Sequence, residues 1–198
     1  MDIILEYIHL MVKAKSSGGN AESLCKDTPS PLKNGLWYVG VEDYILTEGN
    51  AYLSAALDEV ESKILSNAAR GFKGQVKKCY QNAQKLVLRD KSNTLTYVEG
   101  YAMMPLCPFP LEHGWVELNG KVIDPTWPLE TCHSGALSGH PVGILPEGWA
   151  YYGVRFSRGS VVERHKRYGE HWSHIFDWSH RLPLLSNGPR SKPLQKYK

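Results

Sequence analysis

The chain has 198 residues, 42% of them apolar and 22% charged, with a net charge of +3. That length carries one domain with appendages and buries a substantial core. No run approaches the roughly 20 apolar residues of a membrane-spanning helix. The first residues, Met1-Asp2-Ile3-Ile4-Leu5-Glu6, hold acids and lack the basic start of a secretion signal. A cytoplasmic location and no contact with membrane are therefore expected. Eleven Tyr and six Trp are enough to line a cleft as well as a core.

In chain order, residues 2–14 place Ile3, Ile4, Tyr7, Ile8, Leu10 and Met11 at helical spacing. The Ser-, Gly- and Pro-rich stretch from Lys15 to Gly35 predicts a long irregular connection, and makes that helix an attachment to the core. Residues 1–36 thus form one segment, 37–184 the main domain, and 185–198 a flexible basic tail. Leu36 to Val41 predicts a short strand, broken at Glu48-Gly49-Asn50. Leu53, Ala56, Leu57, Val60, Ile64 and Leu65 predict a helix that ends near Gly71 and Gly74.

A second helix is predicted from just after Gly74-Gln75 to about Arg89, with Val76, Cys79, Ala83 and Leu86 along one stripe. Cys79 then lies in its first turn. Unpaired N–H groups and the positive end of the helix dipole favour an anion there, and a thiolate is such an anion. The competing reading is a small apolar residue in the core. The other cysteines, Cys25, Cys107 and Cys132, show with Cys79 neither the CxxC spacing of a zinc site nor the density of a disulfide scaffold.

Thr94 to Met103 alternates as a strand, with Leu95, Tyr97 and Tyr101 on one side and Val98, Gly100 and Ala102 on the other. Pro105, Pro108 and Pro110 cannot continue a ladder. They form a loop that delivers the chain to His113. Asn119-Gly120, between two apolar-rich runs, predicts a type I′ hairpin. In that register Leu118 faces Lys121, Val116 faces Ile123, Trp115 faces Asp124 and His113 faces Thr126. His113, Trp115, Asp124 and Thr126 share one face, read as the wet one. Gly114, Val116, Leu118 and Ile123 share the buried one. His113 and Asp124 become diagonal neighbours, roughly 7–8 Å apart at the backbone, within reach of their side chains. The plain alternative is an amphipathic hairpin with two polar residues facing solvent.

Leu129 to Glu147 reads as irregular, Trp149 to Phe156 as a strand and His165 to Trp178 as a helix. The order, helices first and a meander of strands after, is an α+β arrangement. From Arg155 onward the chain carries +7 and the remainder −4. That asymmetry offers a weak grip for an acidic partner or nucleic acid, or simply a solvated tail.

Cys79, His113 34 residues on and Asp124 11 residues after that supply a nucleophile, a base and an orienting acid. Each falls where its role requires it: thiol at a helix start, base at a strand start, acid diagonal to the base. Cys79-Tyr80-Gln81-Asn82-Ala83, Tyr97-Val98-Glu99-Gly100-Tyr101, His113-Gly114-Trp115-Val116-Glu117 and Ile123-Asp124-Pro125-Thr126 together resemble the transglutaminase-like core of the papain-like cysteine enzymes. Tyr151 to Phe156 is similar to a stretch of small phage and bacterial proteins of this kind. Gly114 stands where that family usually has Ala, a change expected to leave room beside the His either way.

The resemblance implies a Cys-bearing helix packed on an antiparallel sheet, with Cys79 as nucleophile, His113 as base and Asp124 as orienter. It implies a protein or peptide substrate and needs no cofactor. Three functions fit: a cysteine peptidase or amidase acting through a thioester, an acyltransferase on the same intermediate, or a non-catalytic binding module using the basic end. The Cys79 N–H and the Gln75 side chain are candidate oxyanion donors, although Gln75 reads equally as a surface residue capping the helix. Trp115 and Trp127 are candidate cleft walls or plain core. His171 and His174, at i, i+3, form a metal pair only if helical and lack a third ligand nearby. Cys132, His133 and His140 lie in the irregular stretch and point to no site, and no metal is expected.

Overall fold

The computed structural model describes residues 2–16, 40–52, 55–104, 107, 109–127, 149–168 and 173–177. The expectations for Leu36–Val39, for the irregular stretches and for the basic tail lie outside them, as do Cys25, Cys132, His133, His140 and His171. In chain order the elements are α1 (Asp2–Ser16), α2 (Val41–Glu48), β1 (Asn50–Tyr52), α3 (Glu59–Ala69), α4 (Cys79–Arg89), β2 (Thr96–Met103), β3 (Leu111–Leu118), β4 (Lys121–Ile123), β5 (Ala150–Phe156) and α5 (Arg158–Tyr168). The protein is α+β, with helices packed on a curled antiparallel sheet of strand order β1-β5-β2-β3-β4.

The β3–β4 hairpin has the register its turn residues demand. Asn119 and Gly120 both take positive φ, 53° and 80°, as a type I′ turn requires. Val116 pairs with Ile123 and Leu118 with Lys121. The turn is also held from outside. Asp58 and Glu61 form a capping box at the start of α3. Glu61 then accepts hydrogen bonds from Asn119 Nδ2 at 3.0 Å and Lys121 Nζ at 2.6 Å. These contacts hold the Glu61 carboxyl down at about 2.

Both faces of the sheet are buried, which corrects the expectation of a wet face on the hairpin. Val116, Leu118 and Ile123 join the core under the helices, while Trp115, Val122 and Trp127 pack with Tyr52, Val98, Ala102 and Tyr151 on the other side. Polar residues on that second face are therefore enclosed rather than solvated.

Several boundaries differ from the sequence expectation. The helix α1 belongs to the core and is no mere attachment, because Ile4 and Ile8 are fully buried against α2 and the sheet. Val41 opens a helix rather than ending a strand, with Glu42 and Asp43 in the first turn where the dipole favours acids. α3 starts only at Glu59, since Asp58 caps it; Val60 faces solvent. α4 starts at Cys79, and Val76 lies exposed in the preceding turn instead of on the buried stripe. After β5, Ser157 Oγ accepts the Ser160 N–H and starts α5. Residues 174–176 form bends and α5 ends at Tyr168, so the described helix lies earlier in the chain than the one expected across His165–Trp178.

That bent segment is fastened by a buried carboxylate. Glu99 on β2 accepts from Tyr97 Oη at 2.5 Å, Ser173 Oγ at 2.5 Å, and the backbone N–H groups of His174 and Ile175 at 2.5 and 2.9 Å. Burial opposes its charge, but the His174 side chain and these donors outweigh burial and keep its pKa below the ordinary value. Stability from this carboxylate is present above its unfolded pKa and is lost as pH falls through the lower folded value. Replacing Glu99 by Ala leaves these donors unpaired. It is expected to cost about 3 kcal/mol or more in urea unfolding at pH 7. A loss below about 1 kcal/mol, within the range of one ordinary hydrogen bond, would contradict that role.

Candidate active site

α4 lies across β3 and β2. Its approach is set by Gly114, where an added Cβ would sit 2.7 Å from the Tyr80 ring and 3.2 Å from the Tyr80 Cα. Ala is thus not interchangeable with Gly here, contrary to expectation, because the Tyr80 ring occupies the space a methyl group needs. With Tyr80 seated on Gly114, the preceding residue on each element is brought together. Cys79 is the first residue of α4, and its side chain lies close enough to His113 to raise the pKa of the imidazole.

The other side of the imidazole is held tightly. His113 Nε2 lies 2.6 Å from Asp124 Oδ2. That leaves Nδ1 as the ring nitrogen for the thiol. Asp124 is fully buried. Its Oδ1 accepts the Thr126 and Trp127 backbone N–H groups at 2.8 and 3.0 Å, and Tyr151 Oη donates to Oδ2 at 3.2 Å. Both oxygens are occupied, so the carboxylate has one orientation. Burial and the charge of Asp124 keep the Tyr151 phenol protonated, and so a donor.

Aromatic rings enclose the imidazole. Trp127 stacks on His113 with ring centres 4.2 Å apart and planes 21° apart; Trp115 is parallel at 6.4 Å, and Tyr151 is tilted at 6.4 Å. Trp127 is thus a wall of the site. Trp115, with no exposed surface, belongs to the core behind it. His113 and Asp124 are 3% and 0% exposed whereas Cys79 is half-buried, so Cys79 is the most accessible residue of the set.

Burial alone would lower the His113 pKa. The charge and hydrogen bond of Asp124, with smaller contributions from Cys79, outweigh it and raise the pKa from 6.5 to about 10. Asp124 is shifted the other way: burial opposes its charge, but His113 and the two backbone donors hold its pKa below the ordinary value. An imidazolium at neutral pH, with one nitrogen on a carboxylate and the other toward a sulfur, can hand a proton to a leaving group.

Gln75 is exposed, four residues before the thiol. Its backbone N–H and carbonyl are both bonded to Asn82, at 3.0 and 2.7 Å. The α4 N-cap, Lys78, offers no side-chain acceptor, so the first N–H groups of the helix, that of Cys79 included, have no cap from it. Asn82 and Tyr151 are absent from the sequence-based set. Asn82 carries a legible signal, since it lies one helical turn after Cys79. Tyr151 does not, because its partner Asp124 is 27 residues away in an unconnected strand.

Of the two histidines weighed as a metal pair, His171 lies outside the described residues. His174 lies in a bend with Nδ1 3.2 Å from Glu99 Oε1, and among the described residues no group of three His, Cys, Asp or Glu side chains is placed to hold a metal. Among these residues no helix is long and apolar enough to cross a membrane. No family model, no curated protein and no solved structure matches the chain.

The His113 titration, followed by ring nitrogen NMR, tests this geometry. The raised pKa means the ring stays protonated through neutral pH and loses its proton only as pH climbs toward 10. Asp124→Asn removes the opposing charge but keeps the burial. The midpoint is then expected to fall by about two pH units. A midpoint unchanged in the variant would contradict the assigned pairing.

Proposed function

We propose that the protein is a cysteine hydrolase, a peptidase or amidase, that cleaves an amide or isopeptide bond through a thioester on Cys79. One observation carries this reading. The thiol at the start of α4 lies close enough to an imidazole to raise its pKa, and that imidazole's Nε2 is 2.6 Å from a fully buried carboxylate. A set made only for packing would not need a partly accessible cysteine beside an enclosed, charge-oriented imidazole.

In this reading the sulfur attacks the carbonyl carbon of the substrate, with the thiol proton held on His113. The tetrahedral oxyanion forms beside the Cys79 N–H and the Gln75 side chain. The C–N bond breaks as His113 gives its proton to the leaving amine, and a thioester remains. Water then adds to the thioester and yields a proton to His113. Sulfur leaves, and the acid is released. Asp124 keeps the ring oriented and its positive charge stabilised throughout. The resemblance to transglutaminase-like enzymes supports the same residue roles, and with them a papain-like core. An amine in place of water would make the reaction an acyl transfer on the same intermediate.

Iodoacetamide labelling tests the reading. At pH 7, Cys79 is expected to react about tenfold faster than an unstructured thiol, and faster than Cys107, whose thiol donates to the Phe109 carbonyl at 3.3 Å. His113→Ala is expected to remove the excess. A Cys79 that reacts no faster than a free thiol would overturn the proposal. So would a Cys79→Ala variant that keeps its full biological effect, since that result favours a binding module.

A further inference from the structure

Asn82 is fully buried one turn along α4 from Cys79. Its side-chain amide makes three hydrogen bonds. Oδ1 accepts the Gln75 backbone N–H at 3.0 Å, and Nδ2 donates to the Gln75 carbonyl at 2.7 Å and to Thr126 Oγ1 at 2.9 Å. Both backbone polar groups of Gln75 therefore end on one side chain. The segment concerned, residues 72–78, contains no helix or strand, and Lys77 within it takes a φ of 61°. A short irregular segment of this kind adopts many conformations unless something fixes it. Thr126 belongs to the turn whose N–H groups bind Asp124 Oδ1. Asn82 thus joins the segment that precedes the thiol to the turn that holds the carboxylate.

We infer that Asn82 is a positioning residue: it fixes Gln75 so that the Gln75 side-chain amide serves as an oxyanion donor beside Cys79, in register with Asp124. The inference rests on the thioester chemistry proposed above. Binding both backbone groups of Gln75 leaves its side chain as the free arm of that residue. Fixing the arm before substrate arrives removes the ordering cost from the reaction itself.

Two probes separate this role from simple structural support. Iodoacetamide alkylates sulfur by displacement at a saturated carbon, with iodide leaving, and forms no oxyanion. p-Nitrophenyl acetate acylates sulfur through one: with the thiol proton held on His113, sulfur bonds to the carbonyl carbon, p-nitrophenolate leaves and a thioester remains. The ratio of the two rates at Cys79 in the full chain reports the oxyanion donor and cancels changes in thiol reactivity.

In Gln75→Ala and in Asn82→Ala the ratio is expected to fall about tenfold or more, and combining them should bring no further fall, because both remove one device. Asn82→Asp keeps the side-chain volume and the acceptor but loses both donations; it should fall likewise, and it stands in if Asn82→Ala does not fold. Gln75 is exposed, so its variant decides the matter without a folding risk. An unchanged ratio in Gln75→Ala, or additive losses in the double variant, overturns the inference while leaving the thioester reading intact. A wild-type Cys79 no more reactive than a free thiol overturns both.

Discussion

The contact between His113 and Asp124 is the constraint around which the other features of the site are arranged. A carboxylate with no exposure to water is costly unless its oxygens are paired and bonded. Asp124 meets that condition through four donors drawn from three parts of the chain: the imidazole on β3, two backbone N–H groups of its own turn, and the phenol of Tyr151 on β5. The hairpin register, the turn after β4 and the pairing of β5 beside β2 must all be right for that one carboxylate to be satisfied. In return the ring has one orientation, with Nε2 on the carboxylate and Nδ1 left for the group at the start of α4.

Packing then decides what meets that nitrogen. Gly114 admits Tyr80, and the seating of Tyr80 carries Cys79 to His113. Asn82, on the same helix, reaches back to Gln75 and across to Thr126. The helix thus presents the thiol and ties together the two irregular segments that flank it. Trp127 closes the site over the ring. Cys79 is more accessible than the buried His113–Asp124 pair, the asymmetry that the proposed nucleophile with a protected base requires.

Much of this was legible before any coordinates. Asn119-Gly120 set the register, and the register placed His113 diagonal to Asp124, because side-chain alternation leaves no freedom once a turn is chosen. The thiol at a helix start followed from the stripe through Ala83 and Leu86. What was illegible depended on contacts distant in sequence. The wet face of the hairpin was misjudged because a polar residue on a strand looks the same whether solvent or a second layer covers it. Trp115 and Val122 settle that only once packed against Tyr52, Val98 and Tyr151. The role of Glu99 has no local signal, because its partners at residues 173–175 come more than 70 residues later. The short helix Val41–Glu48 was hidden by Trp37-Tyr38-Val39, whose β propensity dominated the window, although Glu42 and Asp43 marked its start.

The central claim is that Cys79 and His113 form one charge-coupled unit. It is tested most directly by titrating the His113 ring before and after iodoacetamide caps the sulfur. If the two are coupled, capping removes a partner that raises the ring's pKa, and the midpoint falls while the fold is unchanged. A His113 midpoint identical in free and capped protein would contradict the account.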